Sequence, residues 1–70
     1  MEYWLVTTIC ETDAAKSCQA NCSSRLDAML AVADMQNIRP DRIADADHLT
    51  GTGEKDGQIH SWSIDRVRAA

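Results

Sequence analysis

The sequence predicts a small α+β domain of two layers: an antiparallel sheet of three to four strands with one helix packed on one face, in the order ββαββ. Three observations carry this. An uncharged, β-branched and aromatic run opens the chain at 3–10, and a 3.6-residue apolar repeat occupies 24–36. Alternating segments and a glycine-containing stretch ending in Asp-Gly fill the second half. Residues 1–70 read as a single α+β domain without internal repeats or linkers. A chain of this size buries about 60% of its unfolded surface, and its core supplies about 3–5 kcal/mol.

Tyr3 to Cys10, YWLVTTIC, reads as a strand covered on both faces, because apolar residues fall on each side of it. A hairpin pairing Cys10 with Lys16 sends Trp4, Val6, Thr8 and Cys10 under the helix and leaves Tyr3, Leu5 and Ile9 on the open face. Shifting that register by one residue exchanges the two rows. Between Lys16 and Cys22 the pattern alternates, with Cys18, Ala20 and Cys22 on one side, as in a half-buried strand.

The helix, SRLDAMLAVADMQ, is the element around which the chain is organised. Leu26, Met29, Leu30 and Ala33 recur at i, i+3, i+4 and i+7, and Val32 and Met35 widen that stripe, which is expected to face the sheet. Ser24 is placed to cap the N-terminus with Asp27 three residues on. Asn37 and Pro40 end the helix. Arg42 to Leu49 then reads as a third strand, with Ala44 and Ala46 toward the helix and Asp45 and Asp47 on the opposite face. Thr50 to Gly57 reads as a hairpin connection and Gln58 to Arg68 as the last strand, with His60, Trp62 and Ile64 on one face.

Three cysteines cannot all pair within one chain. Without a signal peptide or an apolar span of about 20 residues, the expected setting is a reducing cytoplasm with free thiols and no membrane contact. Cys18, Cys22, His48 and His60 form a zinc-type set by composition. Four residues of strand, however, separate the two cysteines by about 13 Å, so only a turn or helix there would bring them onto one ion or into one disulfide. The expectation is no metal and no cofactor. Cys10 with His48 or His60 offers a thiol–imidazole pair, but no hydrolase signature surrounds it, and no catalytic residue is assigned.

Eleven acidic against seven basic side chains, a net charge of −4, argue against direct nucleic-acid binding. Five carboxylates (Asp41, Asp45, Asp47, Glu54 and Asp56) against Arg42 and Lys55 concentrate that charge in 41–56. Such a stretch suits docking on a basic protein surface. The expected partner-binding residues are therefore Tyr3, Leu5, Asp45, Asp47, Glu54 and Asp56.

An apolar opening strand, a short helix beginning SRLDAMLA after a serine cap, and a hairpin to the C-terminus give a layout that resembles the small anti-CRISPR inhibitors of phages and mobile elements. The resemblance covers most of the chain. It implies a non-enzymatic inhibitor that occupies a surface of a Cas protein or surveillance complex meant for nucleic acid, in a host cytoplasm. The alternative is a small structural or assembly protein acting as a homodimer, with no inhibitory role. In either case a second chain is expected to cover the open face of the first strand.

Overall fold

A computed structural model describes the backbone of residues 2–45 and 47–68, and the side chains of all of these except 41–45. Five strands form one antiparallel sheet: β1 (Glu2–Cys10), β2 (Cys18–Cys22), β3 (Gln36–Asp45), β4 (His48–Lys55) and β5 (Gln58–Arg68), in the spatial order β2-β1-β5-β4-β3. One α-helix, α1 (Arg25–Ala31), crosses from the β2 edge toward β3 on one face, and a 3-10 turn at Ala14–Lys16 joins β1 to β2. The α+β class stands, but the layout is ββαβββ, with one strand more than the sequence predicts.

The extra strand comes from dividing 36–55 differently. The segment expected as a single strand, 42–49, is a hairpin in which Asp45 pairs with His48 through the backbone. The expected connection 50–57 is mostly β4. Only Asp56 and Gly57 turn, with φ of 53° and 77°, the pair of left-handed residues that a two-residue hairpin needs. Gly51 and Gly53 are strand residues for a packing reason. A Cβ on Gly51 would lie 2.3 Å from the Arg39 carbonyl oxygen and 2.5 Å from the Trp62 ring; one on Gly53 would meet Met35 at 3.0 Å. Pro40, expected only as a stop, sits within β3, where an edge strand tolerates its missing N–H.

β1 takes the register expected of it, with Trp4 opposite Cys22, Val6 opposite Ala20 and Thr8 opposite Cys18. On its other side Val6 faces Ile64, Thr8 faces Trp62 and Cys10 faces His60. Val6, Thr8 and Cys10 are accordingly buried under the helix side. Val6, Leu49, Trp62 and Ile64 from the sheet pack with Ala28, Val32 and Met35, flanked by Trp4 and Cys22.

Candidate protein-docking surfaces

The helix is built as its sequence suggests but rotated. Ser24 Oγ accepts from the Asp27 amide at 3.1 Å, and Ser23 Oγ donates to Asp27 Oδ2 at 2.9 Å, which fixes the N-terminus. Regular helix stops at Ala31; turns lead through Val32 to β3, and Asn37 takes a left-handed φ of 54°. The residues meeting the sheet are Ala28, Val32 and Met35, spaced i, i+4, i+7, and Ala28 is fully buried. Of the stripe expected to face the core, Val32 and Met35 do so, but its other members point outward: Leu26 is 68% exposed, Met29 48% and Leu30 61%, and Ala33 is exposed too. Two tryptophans and the β-branched rows of β1 and β5 already fill the volume on that face. An alanine at the point of contact lets the helix lie close, where a leucine would hold it off. The expectation that Ala44 and Ala46 serve this purpose falls on side chains outside the described residues.

The opposite face of the sheet carries no helix. Tyr3 and Leu5 lie on it, opposite Val67 and Asp65, and both are half-buried, whereas Ile9 of the same row is 52% exposed. Ile59 (55% exposed) sits diagonally across the β1–β5 ladder from Ile9. Beside it, Ile38, Arg39, Thr52, Glu54 and Ile59 line a shallow groove of about 630 Å³. His48 Nδ1 pairs with Asp65 Oδ1 on this face.

Among the described acidic side chains of 47–56, Asp47 does not gather with Glu54 and Asp56. Asp47 and Asp56 end opposite ends of β4, about 30 Å apart at strand spacing. Asp47 is not on the open face. It lies in the turn before β4, and its carboxylate takes Arg66 Nη1 at 3.2 Å. Arg66 also donates to Glu2 at 2.7 Å and lies 5.9 Å over the Trp4 ring. This cluster holds the Glu2 carboxyl below its ordinary range, chiefly through the Arg66 hydrogen bond. Glu54 lines the open-face groove and Asp56 occupies the β4–β5 turn. The Asp45 side chain lies outside the described residues.

Cys10 and His60 are buried cross-strand neighbours. His60 Nδ1 has no hydrogen-bond partner among the described residues. Beside it, Lys16, Lys55 and Asp56 complete a cavity of about 320 Å³. Lys16 Nζ donates to Gln58 Oε1 at 2.9 Å, and Lys55 pairs with Asp34 at 2.6 Å, which holds Asp34 below its ordinary range. Alternation on each strand makes the Cys10–His60 pairing legible once the register is known; nothing in the sequence marks the Arg66 cluster. Cys18 and Cys22 occupy strand, not turn or helix, and all three cysteines are free. No group of three or more His, Cys, Asp or Glu among the described residues is placed to hold a metal ion. No described helix is long and apolar enough to cross a membrane. Comparison with protein-family models, curated proteins and solved structures finds no match.

Proposed function

We propose that this chain is a non-enzymatic protein-binding module that docks the outward face of α1 into an apolar groove of a partner protein. One observation carries the reading. The helix has two apolar faces, and the one that is richer in large side chains, Leu26, Met29 and Leu30, is the one left in solvent. Helices ordinarily turn that face to their own core. Large apolar side chains at i, i+3 and i+4 on an exposed helix are the pattern by which helices enter grooves on other proteins. Arg25, Asp27 and Asp34 are exposed around the stripe and would lie at the rim.

Inhibition by occupancy would use the same surface, and the resemblance of the sequence layout to anti-CRISPR inhibitors makes Cas effectors the first partners to test. The alternative, a homodimeric assembly protein, draws its support from a different part of the molecule, the outer edge of β2.

The test is a paired capture experiment with the parent chain and a Leu26→Glu/Leu30→Glu variant, against purified Cas effectors and against host lysate. A partner retained by the parent and lost by an equally well-folded variant supports the reading. Equal retention by both refutes it.

A further inference from the structure

We infer that the outer edge of β2 pairs with β2 of a second copy of this chain, antiparallel and centred on Ala20, so that Cys18 lies opposite the partner's Cys22. The inference does not depend on what the α1 stripe binds.

The two edges of the sheet are treated differently. β3 carries Pro40, a left-handed Asn37 and three register shifts against β4, all of which discourage a further strand. β2 has none of these devices. Its five residues, CQANC, hold no charge and no proline, run in unbroken register with β1, and are exposed except for half-buried Cys22.

Backbone geometry fixes which residues are available. The Glu11 amide donates to the Ile59 carbonyl, so odd-numbered residues of β1 turn their N–H and C=O toward β5 and even-numbered ones toward β2. The Cys10 amide, which donates to Ser17 Oγ at 3.1 Å, agrees. Cys18, Ala20 and Cys22 therefore spend their backbone groups on β1, and Gln19 and Asn21 present theirs outward. Among the pairings that match outward groups to outward groups, only the one centred on Ala20 engages all five residues. Gln19 then bonds the partner's Asn21 and Asn21 the partner's Gln19, with matched carboxamides on the open face.

In that register Cys18 and the partner's Cys22 form a non-hydrogen-bonded pair, with Cα atoms about 4.5 Å apart, at the near end of the range a disulfide spans. Both copies of α1 lie on the same face of the joined sheet, because the two-fold axis is perpendicular to it.

Oxidised glutathione reads this register out. The Cys18 thiolate attacks it and expels one glutathione thiolate; the partner's Cys22 thiolate attacks the mixed disulfide and expels the other. Two protein thiols lose two protons and two electrons, and the small disulfide gains them as two thiols.

The experiment uses the full chain with Cys10→Ser, so that only the seam cysteines remain, under native conditions on a non-reducing gel. The 7.7 kDa chain is expected to shift to twice its mass. Cys18→Ser alone and Cys22→Ser alone should each lose the shift, and mixing these two variants should restore it through a single bridge. Ala20→Lys, which sets two ammonium groups against each other at an exposed site, should slow the parent's shift several-fold. A parent that stays at 7.7 kDa, a single-cysteine variant that crosslinks with itself, a mixture that fails to crosslink, or an Ala20→Lys rate equal to the parent's overturns the inference.

Discussion

Exchanging volume between the two faces of α1 tests its orientation directly. Leu30 keeps 61% of its surface in solvent. Complete burial of a leucine side chain is worth about 1.5–3 kcal/mol, so Leu30→Ala forfeits at most two-fifths of that, about 0.6–1.2 kcal/mol. Alanine's better helix propensity recovers a few tenths of it. Ala28 is completely buried, and Ala28→Leu forces three extra carbons between the helix and the sheet. Overpacking of this kind costs about 1–3 kcal/mol. The orientation suggested by periodicity alone gives the reverse order, because Leu30 would then be core and Ala28 surface. Urea unfolding followed by tryptophan fluorescence suits the measurement, since Trp62 is in the core and Trp4 packs against it. For a domain of this size each kcal/mol also moves the melting temperature by about 4–8 °C. Leu30→Ala costing more than about 2 kcal/mol, the loss expected of a core leucine, with Ala28→Leu neutral, would refute the structure-based orientation.

Two further outcomes follow from the packing and the charges. Gly51→Ala should cost about 3 kcal/mol or more, at the top of the overpacking range, because its Cβ meets a backbone carbonyl that cannot rotate away. Gly57→Ala, strained only by its left-handed φ of 77°, should cost about 1–2 kcal/mol, and thermal unfolding that ranks the two equally would contradict the close β3–β4 contact. Glu2 and Asp34 are held ionised by Arg66 and Lys55, so their folded-state pKa values lie below the unfolded ones. The stability they lend is complete above the ordinary carboxylate range and is lost as pH falls through about 4 and below. Arg66→Gln should flatten the fall in urea midpoint between pH 6 and pH 3, and an unchanged acid slope would remove the Glu2–Arg66 pair from the account.

Local chemistry determined a large part of this molecule by itself. The β-branched opening run makes β1, serine chemistry starts α1 at Ser24, and Asp56–Gly57 turns the last hairpin. Strand parity sorted Trp4, Val6, Thr8 and Cys10 into one row and Tyr3, Leu5 and Ile9 into the other, while the register with β2 decided which row is covered. Each of these rests on neighbours within a few residues or on a period of two, and the sequence displays both. The tertiary structure decided what depends on volume between distant segments. Whether Ala28 or Leu30 meets the sheet turns on how much room Trp4, Trp62 and Ile64 leave beneath the helix. Whether Gly51 and Gly53 mark a loop or a strand turns on the Arg39 carbonyl, Trp62 and Met35 lying against them. The separation of Asp47 from Asp56 came from the same source, because an extended strand between two acidic residues carries them to opposite ends of the sheet. Asp47 and Asp56 would share a patch only if the backbone folded back between them, and β4 runs straight there.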